Sequence, residues 1–89
     1  MPWAFLAPTY TGSAEGVKLL IYSVQPEQVT VTVYSSMGSK IATKQLTLSG
    51  GGITECWLSA QEKPQVVGMY YVVVEYANGI REALKGVVK

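Results

Sequence analysis

This 89-residue chain has no histidine and no aspartate, and all six of its acidic residues are glutamates. Those absences remove histidine-based acid/base chemistry, the Ser-His-Asp and Cys-His arrangements, and nearly every zinc site. Cys56 stands alone, so no internal disulfide staples the fold. Set in Ile53-Thr54-Glu55-Cys56-Trp57-Leu58, it reads as a buried, inert thiol on a strand. Charge is scarce as well. Only 15% of residues are charged and the net charge is +1, with the seven cations scattered, which leaves no electrostatic footprint for nucleic acid. No apolar run approaches membrane-spanning length, so no membrane insertion is expected. The opening Met1-Pro2-Trp3-Ala4-Phe5-Leu6-Ala7-Pro8 lacks a positive n-region and is too short for the apolar core of a leader. The expectation is a protein that acts where it is made, or a piece of a longer exported one. Catalysis is the weakest reading, and no cofactor is expected.

What remains is β structure in one domain, residues 1–89. Val17 to Ser23 is rich in Leu, Ile and Tyr and reads as a strand covered on both sides; Gln25-Pro26-Glu27 breaks it. From Gln28 to Tyr34 the period is two, with Val29, Val31 and Val33 facing one way against Gln28, Thr30, Thr32 and Tyr34. That predicts a half-buried strand with its valines inward. Ser35-Ser36-Met37-Gly38 is a turn. Lys40 to Leu48 follows as a strand, where Ile41 opposes the face of Ala42, Leu46 and Leu48 and so predicts a bulge or twist. Ser49-Gly50-Gly51-Gly52 is a flexible turn before a strand from Ile53 to Leu58. Ser59 to Val67 has room for a single helical turn, but Pro64 and the apolar pair Val66-Val67 favour a loop. Short strands about ten residues apart, separated by turn signals, indicate an all-β sandwich. Residues 1–10 are an N-terminal extension in this reading, with Trp3 and Phe5 either a core flap or an exposed anchor for a neighbouring subunit.

The last stretch, residues 68–89, reads as a hairpin. Asn78-Gly79 is suited to a two-residue type I′ turn, flanked by β-branched and aromatic residues. Such a turn pairs Val74 with Ala83, Val72 with Lys85 and Tyr70 with Val87. A terminal strand frays unless it is paired, so this ending is expected to be structured or recognised. If it is a recognised signal, losing Val87, Val88 and Lys89 leaves the fold mostly intact. If it belongs to a structural subunit, the loss weakens assembly or stability. A small, weakly charged sandwich also has two open edges to manage. Few of these strands carry the inward charges or prolines that protect edges, so self-association or docking through a strand edge is expected.

Three segments carry a family resemblance. Val31-Thr32-Val33-Tyr34-Ser35-Ser36-Met37-Gly38-Ser39-Lys40-Ile41, Gly68-Met69-Tyr70-Tyr71-Val72-Val73-Val74 and Lys85-Gly86-Val87-Val88-Lys89 together resemble a type IX secretion C-terminal sorting domain. The resemblance departs at Ala7-Pro8-Thr9, where the family opens with Asn-Pro, and over Ser59 to Val67, which is longer than the family's link. It implies a small antiparallel immunoglobulin-like β-sandwich ending in a C-terminal hairpin, which serves as an address read by the secretion machinery of Bacteroidota. The partner-binding residues it implies are Gly68, Tyr70, Val72, Val74, Gly79, Lys85, Val87, Val88 and Lys89. A protein of this kind reaches the cell surface or is secreted. The rival expectation is a free-standing structural subunit, such as a phage virion decoration or fibre protein, partnered by its neighbouring subunits and homo-oligomeric. Six tyrosines also raise a glycan-binding module, although few polar side chains accompany them to bind hydroxyls.

Overall fold

Period-two alternation becomes strand almost wherever it occurs in the computed structural model, which describes residues 2–89. Met1 lies outside them. The strands are β1 (Trp3–Ala7), β2 (Tyr10–Thr11), β3 (Val17–Ser23), β4 (Glu27–Ser35), β5 (Lys40–Leu48), β6 (Gly52–Leu58), β7 (Gly68–Glu75) and β8 (Arg81–Val88). They form a three-stranded sheet, β1-β3-β6, and a five-stranded sheet, β2-β8-β7-β4-β5. The chain changes sheet between β1 and β2, β2 and β3, β3 and β4, β5 and β6, and β6 and β7, and the resulting strand order is that of an immunoglobulin-like sandwich.

The core lies between the two inner faces. Val29, Val31 and Val33 of β4 are at most 2% exposed. They share the five-stranded inner face with Tyr70, Val72 and Val74 of β7, in the register Val33–Val72 and Val31–Val74. Ala4, Leu6, Val17, Leu19, Ile21, Cys56 and Leu58 meet them from the three-stranded sheet. Each buried valine contributes roughly 1.5–3 kcal/mol relative to exposure, so the β4 triplet is a main source of stability.

Two expectations about chain ends are corrected. Trp3–Ala7 is no extension: it is an edge strand of the sandwich, paired with β3, and Ala4 and Leu6 sit in the core. The Ala7–Pro8 peptide is cis, and there the chain passes from one sheet to the other. The C-terminal residues, in turn, are built into the fold. Val88 is fully buried, and β2 pairs with β8 in parallel at Tyr10–Val87 and Thr11–Val88, so the sandwich is not wholly antiparallel. The Val87 and Lys89 amides donate to the Thr9 and Thr11 carbonyls at 2.8 and 2.9 Å.

The terminal hairpin is shifted by one residue from the expected register: Val74 opposes Glu82, Val72 opposes Leu84 and Tyr70 opposes Gly86. The turn is longer than two residues. Gly79 N–H donates to Tyr76 O and Tyr76 N–H to Ile80 O, with Gly79 at φ 88° and no other residue type at positive φ. This is a three-residue loop closed by a glycine bulge, so Asn78 stays in an ordinary backbone region and accepts the Ile80 N–H on its side chain. The shift has a steric reason. Gly86 lies under the Tyr70 ring, and a Cβ there would come within 2.3 Å of it. No residue but glycine fits opposite a fully buried Tyr70.

Ser59 to Val67 is a loop that holds a single 3₁₀ turn, Ala60–Glu62. Glu62 closes a capping box with Ser59, accepting the Ser59 N–H at 2.9 Å. Beyond it, Lys63 is 1% exposed and its ammonium donates to the Gly12 carbonyl at 2.9 Å, tying two loops together. Burial lowers the Lys63 pKa from its ordinary value.

Candidate interaction face

The outer face of the three-stranded sheet follows from the alternation that builds the core. With Ala4 and Leu6 inward, Trp3 and Phe5 must point out; with Leu19 and Ile21 inward, Lys18, Leu20 and Tyr22 point out; with Cys56 and Leu58 inward, Ile53, Glu55 and Trp57 point out. The registers set these side chains in three rows across the sheet: Trp3–Tyr22–Ile53, Phe5–Leu20–Glu55 and Ala7–Lys18–Trp57. Trp3 is 41%, Phe5 39%, Ile53 54% and Trp57 58% exposed. Lys18 and Glu55 are the face's two charges, and they pair at 3.4 Å. The result is a contiguous apolar surface of a kind that single-chain proteins rarely leave in water.

Its aromatic rings are organised. The Trp3 ring centroid lies 5.2 Å from Phe5 and 5.4 Å from Tyr22, with interplanar angles of 21° and 15°. These rings stack on one another, so their faces are partly occupied by their neighbours. That suits a rigid docking surface better than a sugar platform, which needs open ring faces. Trp57 lies over Gly16, where a Cβ would come within 2.5 Å of its ring.

The residues implied by the sorting-domain resemblance fall into two groups. Tyr70, Val72, Val74 and Val88 are fully buried and belong to the core, where they cannot meet a partner by side chain in the folded domain. Among the described residues neither the Tyr70 hydroxyl nor the equally buried Thr11 Oγ1 has a hydrogen-bond partner. Burial raises the Tyr70 pKa. Gly68, at φ 145°, opens β7, and Gly79 closes the hairpin. Lys85, Val87 and Lys89 lie at the surface, Lys85 opposite Tyr71 and Val87 beside Met69 and the exposed Tyr10. The implied set is therefore divided between core and surface and forms no single site.

The edges of the sheets differ in protection. On β5, Lys44 shares the inward face with Ala42, Leu46 and Leu48, as its pairing with Val31 requires. Its ammonium donates to the Trp57 carbonyl at 3.2 Å and pairs with Glu62 at 2.9 Å, so it ties the β5 edge to β6. The bulge expected near Ile41 is present, where Val33 and Tyr34 pair with Ala42 and Lys40 and skip it. An inward charge and a bulge are two devices that discourage strand addition, so the β5 edge is guarded, contrary to expectation. The Lys44 hydrogen bond, followed by the Ser59 amide, holds the Glu62 carboxyl below its ordinary pKa. Cys56 is buried, and burial pushes its thiol up against the opposing pull of Lys44.

A cleft of about 580 Å³ opens at the end of the sandwich beside Pro2, Pro26 and Asn78. Glu27 is the titratable side chain that lines it, and both carboxylate oxygens are engaged: Oε2 lies 3.1 Å from Ser23 Oγ and Oε1 accepts the Ala77 N–H at 3.1 Å. Among the described residues no helix is long and apolar enough to cross a membrane. No protein-family model matches the chain, and no curated protein matches it.

Sequence reasoning named Trp3 and Phe5 as anchors but missed their partners. By sequence, Tyr22, Ile53 and Trp57 are only strand residues, because which strands share a sheet is not written in any one of them. The signal within reach was that β3 and β6 also alternate. Their outward residues include Leu20, Tyr22, Ile53 and Trp57, where β4 turns out Gln28, Thr30, Thr32 and Tyr34.

Proposed function

We propose that this chain is a non-catalytic protein-docking module that binds through the outer face of its three-stranded sheet. The observation that carries the reading is the Trp3–Phe5–Tyr22 stack, continued by Leu20, Ile53 and Trp57 on a rigid sheet. Aromatic side chains fixed on strands lose little conformational freedom when covered, and they supply the large desolvated anchors on which protein interfaces depend.

The sorting-domain resemblance gives a narrower form of this reading, in which the partner is a type IX secretion machine. Tyr70, Val72, Val74 and Val88 then serve to build the domain, while Lys85, Val87 and Lys89 remain for contact. The other form is a structural subunit such as a virion decoration or fibre protein. The burial of Val88 and the pairing of β2 with β8 favour it, because changes at the terminal strand then act through stability.

The experiment is a reporter carrying the full chain at its C-terminus in a type IX-competent cell, followed by fractionation. Export that is lost in a Phe5→Ser/Trp57→Ser variant supports docking in its sorting form. Retention in the cell, with assembly that the same variant abolishes, supports the structural form. If both export and assembly survive that variant, the face is not the docking surface.

A further inference from the structure

We infer that the occupant of the aromatic face is a second copy of this chain, packed face to face about a two-fold axis with its strands crossing at nearly a right angle. This deepens the docking reading and rests on it. The argument comes from the pattern of rows. Leu20 is at the centre, Trp3 and Trp57 stand at opposite corners, and Lys18 and Glu55 occupy adjacent sides. A two-fold axis lying in the interface can run along a strand, across the strands or along a diagonal. Along the strand it sets Lys18 against Lys18. Across the strands it sets Glu55 against Glu55. Both leave like charges opposed in a surface with almost no other polar groups.

Of the two diagonals, the one through Ile53, Leu20 and Ala7 sets Lys18 against Phe5 and Glu55 against Tyr22. The one from Trp3 through Leu20 to Trp57 removes the conflict and pairs the charges. It sets Lys18 of each copy opposite Glu55 of the other, Phe5 opposite Tyr22, and the bulky Ile53 opposite the small Ala7. Trp3, Leu20 and Trp57 meet their own counterparts on the axis. Such a diagonal produces the orthogonal form of sheet-on-sheet packing. One cation and one anion, already 3.4 Å apart within each copy, become an alternating ring of four charges. The face is thus complementary to itself in charge and in bulk, which is what a closed two-fold dimer requires. Three strands about 4.8 Å apart present a patch smaller than a standard interface, so the dimer is a weak one.

The test is sedimentation velocity on the full chain and on charge exchanges at two exposed positions, with thermal melts to confirm folding. The native chain is expected to dimerise across the micromolar range. Lys18→Glu and Glu55→Lys alone each weaken the dimer at least tenfold, because each sets like charges face to face. An equimolar mixture of these two variants is expected to recover association as a heterodimer. The double variant K18E/E55K recovers the homodimer. A native chain that stays monomeric at high micromolar concentration overturns the inference. So does a dimer that the single exchanges leave intact, or one that their mixture fails to restore. In each of those cases the docking reading is still judged separately, by the reporter experiment with the Phe5→Ser/Trp57→Ser variant.

Discussion

The outer face of the three-stranded sheet and the β4–β5 half of the other outer face are made by the same alternation and have opposite character. The β7–β8 half of the latter carries Met69, Tyr71, Val73 and Val87. On the five-stranded sheet, β4 and β5 turn Gln28, Thr30, Thr32, Thr43, Gln45 and Thr47 to water, with Thr32 directly across from Thr43. Glu75 and Arg81 add an ion pair at 3.7 Å. On the three-stranded sheet the corresponding positions hold Trp3, Phe5, Leu20, Tyr22, Ile53 and Trp57. Threonine satisfies β-propensity while remaining wettable, so a strand does not need apolar residues outside in order to form. Folding therefore explains the inner faces of both sheets but not the outer face of the smaller one. Its aromatics are better accounted for by something that covers them.

The largest expected effect tests whether the five-stranded side is structural throughout. Deleting Val87, Val88 and Lys89 removes a fully buried valine and the β2 pairing, and should cost about 3–5 kcal/mol by urea denaturation. A loss below about 1 kcal/mol would return these residues to a role in recognition alone. Next comes Gly86→Ala, where the new methyl meets the Tyr70 ring. A destabilisation of about 1–3 kcal/mol is expected, part of it recovered when Tyr70→Leu is combined with it.

A smaller stability effect sharpens the contrast between the faces. Ile53→Ser/Trp57→Ser should change stability by about 1 kcal/mol or less while abolishing docking, whereas Thr32→Ser/Thr43→Ser should leave both unchanged. Calorimetry and the binding readout together check it. The smallest effect concerns the guarded edge. Glu62 has a lowered pKa in the folded state, so its contribution is present above the ordinary glutamate value of 4.5 and is lost as pH falls through the folded value. Glu62→Gln should therefore flatten the acid limb of stability, lowering stability by up to about 1 kcal/mol at neutral pH and changing little below the folded value.

How far the sequence disclosed this molecule depended on the kind of information each feature needs. The β4 valines were legible because alternation is local, and so was the bulge at Ile41, which broke its own strand's pattern. The hairpin was legible as a hairpin, but its register was not. Asn78-Gly79 fits a two-residue turn and also the end of a three-residue loop, and the choice between them is made far away, by the need for Gly86 beneath Tyr70. The Trp3–Ala7 strand was missed because it is short and bracketed by Pro2 and Pro8, and its inward residues include the small Ala4. The candidate face was half legible. Trp3 and Phe5 stood out by type, but their neighbours became neighbours only through pairing of strands whose partner residues lie about 11 to 41 positions apart.

The most direct test of the face assignment is photo-crosslinking of the purified full chain, with a benzophenone side chain placed at Ile53 in one sample and at Thr32 in another. The account predicts a covalent dimer from position 53, with the adduct mapping to the neighbourhood of Ala7 in the other copy, and none from position 32. A dimer formed from position 32 and absent from position 53 would contradict it, placing the contact on the threonine face and leaving the aromatic surface without a role.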